Sequence, residues 1–150
     1  MKRSKRNSIS ALLRVISILR GKKGCRWDKK QTHISLIPSL REETRELEEA
    51  LKKGNPEEIK EELADVLHQI LFHCRIEKEK GNFDFYDVCD FLVKKLRRRH
   101  PHVFTKKKLN SVKEILRQWK RIKEEERNEK IKRDTFKGKT SGKTHKRRTR

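Results

Sequence analysis

Hydrophobic residues recur at helical spacing along most of the chain, and turn residues divide that pattern into five predicted helices. The first is a short amphipathic helix that carries Leu12, Val15, Ile16 and Leu19 on one face and ends at Gly21. The other four are predicted to run from Pro38 to Lys53, from Pro56 to Lys80, from Asp84 to His100 and from Ser111 to Glu126. No stretch shows the alternation typical of a strand. We therefore expect an all-α fold, an antiparallel helix bundle.

Positive charge is concentrated at the two ends of this 150-residue chain. The formal net charge is +21, from 43 Lys and Arg against 22 Asp and Glu. Residues 1–6 hold four basic groups and no acid, whereas residues 127–150 hold eleven basic and two acidic groups. We therefore expect three parts: a basic extension over 1–10, a helical domain over 11–126 and a basic, disordered tail over 127–150.

The composition also bounds the partners and the compartment. The large basic excess favours acidic partners such as nucleotides and nucleic acids. No apolar run approaches the roughly 18–20 residues of a membrane span, so we expect no membrane partner. The three cysteines are far apart, odd in number and outside any CxxC motif, which indicates a reducing, cytoplasmic location.

A carboxylate interrupts the apolar face of the second predicted helix. The spacing of Leu40, Glu43 and Leu47 places Glu43 in the middle of that face. Glu46 follows one turn later at its edge, and Glu42 lies about 100° away on the other side. Because a charge at a core-facing position is costly without a partner, Glu43 is a candidate functional residue.

The third predicted helix also has polar and acidic residues next to its apolar sector. Along one border of that sector lie Glu62, Asp65, Gln69 and His73. The Gly-Asn-Pro turn between the two helices favours antiparallel packing, which would bring both acidic pairs to one seam. Carboxylates that converge there select a hard divalent cation, Mg²⁺ or Mn²⁺. The alternative is that both helices present solvated acidic faces, and spacing alone leaves the two interpretations open. On the second interpretation, the acidic faces also include five neighbouring acids, which are Glu48, Glu49, Glu57, Glu58 and Glu61.

Two cations continue the apolar stripe of the fourth predicted helix. Lys95 and Arg99 follow Val88 and Leu92 at spacings of three and four residues. Next to a metal site, such a pair suits a polyphosphate, because metal and cationic side chains share its charge. The other interpretation is that both side chains snorkel at a helix end, where cations are favourable.

Several blocks, taken in order, resemble the MazG family of all-α nucleoside triphosphate pyrophosphohydrolases over residues 11–122. Two of them are the runs EETRE at 42–46 and ELAD at 62–65, which are similar to the family's EExxE and ExxD motifs. The others are GCRWD at 24–28 with QTHISL at 31–36, GNFDF at 81–85 and KLRRRHPHVF at 95–104. Arg26 stands where proline is common in the family, and the basic tail is not part of the family pattern.

The resemblance implies hydrolysis of an NTP or dNTP to its monophosphate and pyrophosphate with Mg²⁺. The metal ligands it implies are Glu43, Glu46, Glu62 and Asp65. Glu42 completes the motif and would orient a ligand or the attacking water, Lys95 and Arg99 would bind the triphosphate, and Trp27 would help to form the base pocket. The family's helical bundle is completed by dimerisation, so the resemblance also implies a homodimer.

The competing hypothesis is a nucleic-acid-binding protein. The tail over residues 127–150 could contact RNA or DNA phosphates through its many Lys and Arg side chains. It holds only one aromatic residue, Phe136, which argues against base stacking. On this hypothesis the nucleotide site is degenerate or secondary.

Overall fold

The fold is built from helices alone in the part of the chain that the computed structural model describes, residues 8–106 and 108–141, with side chains described to residue 134. Within these ranges there is no strand, which confirms the all-α class. The helices are α1 (Ser8–Leu19), α2 (Arg26–Lys30), α3 (Ile37–Lys53), α4 (Pro56–Glu79), α5 (Phe85–Arg99), α6 (Pro101–Phe104) and α7 (Val112–Ser141).

A tight turn joins α3 to α4 and makes the two helices antiparallel. Gly54 adopts the left-handed conformation with φ of 75°, and its N–H donates to the Ala50 carbonyl at 2.9 Å. Asn55 then caps α4, because its side-chain oxygen accepts from the Glu57 N–H at 3.0 Å, and Pro56 fills the first helical position. As a result, α3 packs along α4 more extensively than any other pair of helices packs in the described chain.

The hydrophobic core lies on the C-terminal half of α4. Leu71, Phe72 and Ile76 are buried there against Ile16 of α1 and Leu36 at the start of α3. Five partly buried residues complete the cluster: Leu12, Leu13, Leu19, Leu67 and Phe85. The core is therefore small, and α4 is its central element.

A buried arginine ties three segments together beside this core. The Arg20 side chain is only 6% exposed, and its guanidinium donates to both carboxylate oxygens of Glu79 at 2.9–3.2 Å. The same group donates to the backbone carbonyls of Asp28 at 2.6 Å and Gln31 at 3.1 Å. Arg20 thereby fixes the α2 segment against the end of α4.

The chain forms two compact units, residues 1–89 and residues 90–150. The turn-bounded helices α3, α4 and α5 match their predicted limits within two residues, whereas α2 and α6 have no counterpart among the predicted helices. Helix α7 continues through 127–141, where the sequence predicts a disordered tail. The division into an extension over 1–10, a domain over 11–126 and a tail over 127–150 stays a prediction, since residues 1–7 and 142–150 lie outside the described ranges.

Candidate metal centre

Three carboxylates from two helices converge at the α3–α4 seam. Glu43 of α3 and Glu62 and Asp65 of α4 each offer an oxygen, and these three oxygens lie within 4.8 Å of one another. All three residues are partly buried. The convergence follows from the antiparallel hairpin, since Glu62 and Asp65 are one turn apart on α4 and face the same side.

The electrostatics of the cluster are unfavourable in the absence of a cation. Burial raises the pKa of Glu43, and the charges of Asp65, Glu46, Glu42 and Glu62 raise it further. Burial also raises the pKa of Glu62, with Glu46 and Asp65 adding to the effect. The neighbouring carboxylates therefore oppose the ionisation of Glu43 and Glu62.

These carboxylates lack the ion pairs that most of the neighbouring acids form. Within residues 8–106 and 108–134, none of Glu42, Glu43, Glu46, Glu62 and Asp65 is ion-paired with a basic side chain. By contrast, four of the five neighbouring acids are paired: Glu48 with Lys52, Glu49 with Arg45, Glu57 with Lys60, and Glu58 with Lys53. The fifth, Glu61, is exposed and forms no ion pair among the described residues. The contrast favours a metal site over the alternative of two solvated acidic faces.

Glu46 and Glu42 lie beside the three-residue cluster rather than in it. Glu46 is partly buried and close enough for its charge to raise the pKa of both Glu43 and Glu62. Glu42 is exposed, and its charge acts on Glu43. The structure thus brings three of the four expected metal ligands together and places the fourth within electrostatic range.

The same border of α4 continues with Gln69 and His73, two polar residues that sequence reasoning noted but did not place in the site. Gln69 is 6% exposed, and its side-chain Oε1 finds no hydrogen-bond partner among the described residues. It lies one turn after Asp65 on the same border of α4. In the sequence, Gln69 is recognisable as an amide side chain at the edge of the apolar sector of this helix.

His73 belongs to a hydrogen-bonded chain that sequence reasoning missed. A carboxylate only accepts, so His33 donates from Nε2 to Glu77 Oε1 at 2.5 Å. In a neutral His33 ring Nδ1 is then an acceptor, and His73 donates to it from its own Nδ1 at 2.7 Å. Burial and the adjacent His33 lower the pKa of His73, while hydrogen bonds from Lys80, Asn82 and His33 lower the pKa of Glu77 to about 2.

The two expected phosphate-binding cations lie in the second unit. Arg99 is partly buried and donates through Nη2 to Glu126 Oε2 at 2.5 Å. The Lys95 ammonium lies 5.9 Å from the centre of the Phe91 ring. The expected base-pocket residue, Trp27, belongs to α2 in the first unit and is 60% exposed.

The family of the chain follows from its likeness to known proteins. Residues 31–104 match the family model of the MazG nucleotide pyrophosphohydrolase domain. The chain carries a MazG domain. That range includes α3, α4 and the whole carboxylate cluster, so the match falls on the candidate site itself.

Curated relatives and a solved structure agree with this assignment. The chain is 47% identical over 119 residues to the nucleoside triphosphate pyrophosphohydrolase/pyrophosphatase MazG of Thermotoga maritima, covering 79% of this chain and 45% of the relative. It is 40% identical over 125 residues to the nucleoside triphosphate pyrophosphohydrolase of Escherichia coli K12, covering 83% and 48%. The chain therefore spans about half the length of the curated relatives that it matches.

The solved structure is a mazG-related protein from Thermotoga maritima. It superimposes with a TM-score of 0.63 at 28% identity, covering 77% of this chain and 98% of that one. A nearly complete match to a separate folded chain supports the all-α architecture.

Proposed function

We propose that this MazG domain is a Mg²⁺-dependent nucleoside triphosphate pyrophosphohydrolase that converts an NTP or dNTP to its monophosphate and pyrophosphate. The observation that carries the proposal is the carboxylate cluster, in which three oxygens from two helices lie within 4.8 Å of one another. The relatives from Thermotoga maritima and Escherichia coli are named as nucleoside triphosphate pyrophosphohydrolases, which supports the reaction class.

We propose Mg²⁺ as the metal, with Mn²⁺ as the alternative. The cluster offers carboxylate oxygens only, which are hard ligands and suit these ions better than zinc. Glu43, Glu62 and Asp65 would hold the ion, and Glu46 would join them as the fourth ligand. A divalent ion bound there supplies positive charge for phosphate oxygens and increases the acidity of a coordinated water.

In the proposed reaction, water attacks the α-phosphorus, and the bond from that phosphorus to the oxygen bridging it to the β-phosphate breaks. Pyrophosphate leaves with the electron pair of that bond. We assign Glu42, which is exposed next to Glu43, to orienting the water. Lys95 and Arg99 would neutralise charge on the leaving phosphates, and Arg99 would exchange Glu126 for a phosphate oxygen to do so. Trp27 would contact the base.

Product analysis tests the reaction class directly. The full chain is incubated with a panel of NTPs and dNTPs, first with Mg²⁺ and then with EDTA, and the products are separated by anion exchange. Monophosphate and pyrophosphate that form only with the metal are expected. Diphosphate and orthophosphate would refute attack at the α-phosphorus, and absence of turnover across the panel would count against the proposed substrate class.

Site variants test the residue assignments. We expect Glu43→Gln and Asp65→Asn to abolish metal-dependent turnover while the helical circular dichroism stays unchanged. The control Glu49→Gln, also on α3, should retain metal-dependent turnover. Lys95→Ala should raise KM, with Lys113→Ala on α7 as the matched control. Full activity in both carboxylate variants would contradict the metal assignment. An unchanged KM and kcat in Lys95→Ala would contradict the role of Lys95 in binding the triphosphate.

We also propose that the protein is a homodimer. Leu63 and Ile70 lie two turns apart on one face of α4 and are 52% and 41% exposed. An apolar stripe left in water is typical of an interface. Light scattering after gel filtration should give twice the chain mass, and Leu63→Lys with Ile70→Lys should give the chain mass. A wild-type monomer at all concentrations would refute the dimer.

We place the protein in a reducing compartment such as the cytoplasm. Cys25, Cys74 and Cys89 are all free thiols, and burial raises the pKa of Cys74. Among the described residues, no helix combines the length and apolarity needed to cross a bilayer. Fractionation of cells that express the tagged protein tests the location.

A further inference from the structure

The second unit contains a strongly basic groove between α5 and α7, with a volume of about 590 Å³. Its α5 wall consists of Phe91, Lys94, Lys95, Arg98 and Arg99. These residues follow at spacings of three and four along the helix, so they share one face. One aromatic ring therefore lies among four cations.

The facing wall also carries four cations. Lys123, Arg127, Lys130 and Arg133 of α7 line the groove and are all exposed. They recur once per helical turn, and the run from Lys123 to Arg133 extends over roughly 15 Å at 1.5 Å per residue. A row of cations on each wall forms a track rather than a single anion site.

Two acids in the groove do not cancel this charge. Glu129 accepts two hydrogen bonds from Arg98 at 2.7–2.8 Å, and Glu126 accepts from Arg99 at 2.5 Å. Eight of the eleven lining residues are basic, so six positive charges remain in excess. Side chains that repel one another to this extent indicate a polyanionic ligand.

We propose that the α5–α7 groove binds a single strand of nucleic acid, with its phosphates along the two rows of cations and a base on Phe91. The Phe91 ring is 68% exposed and lies 5.9 Å from the Lys95 ammonium, as in sites that stack a base beside a cation. Stacking requires an unpaired base, which favours a single strand over a duplex. The groove shares Arg127, Lys130 and Arg133 with the tail over residues 127–150 and adds the α5 wall, which the predicted tail contact does not include. Side chains beyond residue 134 lie outside the described residues.

The arrangement fits a strand better than a membrane surface. A helix that lies on a bilayer presents a broad apolar face opposite its basic one. Along the α7 wall of the groove, from Lys123 to Arg133, Ile131 is the one apolar residue, so this wall has no such face. A concave track between two helices also matches a flexible polymer better than a flat surface.

Fluorescence anisotropy with a labelled 12-nucleotide oligo(U) or oligo(dT) tests the proposal, in the full chain and without nucleoside triphosphate. The test variant is Lys94→Ala/Lys130→Ala/Arg133→Ala, which leaves Lys95 and Arg99 in place. The matched control, Lys113→Ala/Lys120→Ala/Lys132→Ala, removes the same charge from exposed positions outside the groove.

The salt dependence gives the expected magnitude. Each phosphate contact on a single strand contributes about 0.7 to the slope of log affinity against log salt, so losing three contacts reduces the slope by about 2. If the two affinities meet at 1 M salt, the groove variant binds roughly 100-fold more weakly at 0.1 M. A control variant that loses as much affinity as the groove variant would overturn the proposal, because the binding would then depend on net charge alone.

Substitution of the aromatic ring separates a single strand from other polyanions. Phe91→Ala should weaken binding by roughly five- to 100-fold without changing the salt slope, since stacking is not ionic. Phe104→Ala, which removes another exposed ring of the same unit, should have no effect. Tighter binding to a duplex of the same sequence, or groove-dependent binding to vesicles with anionic lipid, would overturn the proposal. Because no turnover is measured, the outcome is independent of the proposed pyrophosphohydrolase activity.

Discussion

Glu43→Gln should change the stability of the protein in opposite directions with and without metal. The substitution keeps the size of the side chain and removes its charge. The pKa of Glu43 is raised by burial and by four neighbouring carboxylates, so ionisation of this group opposes folding. A group with a raised pKa leaves stability intact below its unfolded pKa and reduces it as the pH rises through the folded pKa. At pH 7.5 the wild type therefore bears this cost, and the glutamine variant does not.

The magnitude follows from the distance between the charges. Two unit charges 4.8 Å apart repel by about 0.9 kcal/mol in a water-like dielectric, before screening by salt. In EDTA we therefore expect the variant to be more stable than the wild type by about 0.5–1 kcal/mol, a rise in Tm of roughly 2–5 °C. A metal at 100 times its Kd stabilises the wild type by about 2.7 kcal/mol. The variant has lost a ligand and gains less, so the order of stability should reverse.

Thermal melts followed by circular dichroism, in EDTA and across a Mg²⁺ titration, measure both effects. Glu49→Gln is the control, since Glu49 lies on the same helix and pairs with Arg45 at 3.8 Å outside the cluster. Its Tm should rise with Mg²⁺ as much as that of the wild type. A lower Tm for Glu43→Gln than for the wild type in EDTA would contradict this expectation, as would an equal rise in the Tm of both proteins with Mg²⁺.

Three further predictions concern the core and its polar contacts. Phe72→Ala, at a side chain only 2% exposed, should lower the free energy of unfolding by about 3–5 kcal/mol in urea titrations, whereas Val93→Ala at 52% exposure should cost less than about 1 kcal/mol. Arg20→Ala should lower it by about 2–4 kcal/mol in the same titration, because two backbone carbonyls lose their donor and Glu79 keeps only Arg75. The lowered pKa of His73 predicts stability that is present above about pH 6.5, the unfolded value, and is lost as the pH falls through the folded value. Melts between pH 7.5 and 5 should show this loss in the wild type and a smaller loss in His73→Gln.

The sequence carries enough information to predict the hairpin that bears the site. Gly54 indicates the end of a helix, and Asn55 with Pro56 indicates an N-cap followed by a proline in the first turn of the next helix. Once these two signals fix the antiparallel packing, the phase of Glu43 relative to its apolar neighbours places it at the seam. The convergence with Glu62 and Asp65 then follows from helical geometry.

The parts that sequence reasoning missed depend on short elements or distant contacts. Helices α2 and α6 have five and four residues, too few for a periodic pattern to appear. The hydrogen bond between His33 and His73 joins positions 40 residues apart. The continuation of α7 beyond Glu126 also depends on a distant contact. The apolar pattern has ended there, and Glu129 pairs with Arg98, 31 residues away in the sequence.

Helix α4 connects the stability of the protein to the geometry of the proposed site. Its C-terminal half supplies Phe72 to the core, and its N-terminal half supplies Asp65 to the carboxylate cluster. The two residues are seven positions apart, roughly 10 Å along the helix axis. A substitution in the core therefore leaves the carboxylates on the same rigid element and changes how often the hairpin is folded rather than how it binds metal. Variants such as Phe72→Ala should accordingly lose activity in proportion to the unfolded fraction, whereas a cluster variant loses activity while fully folded.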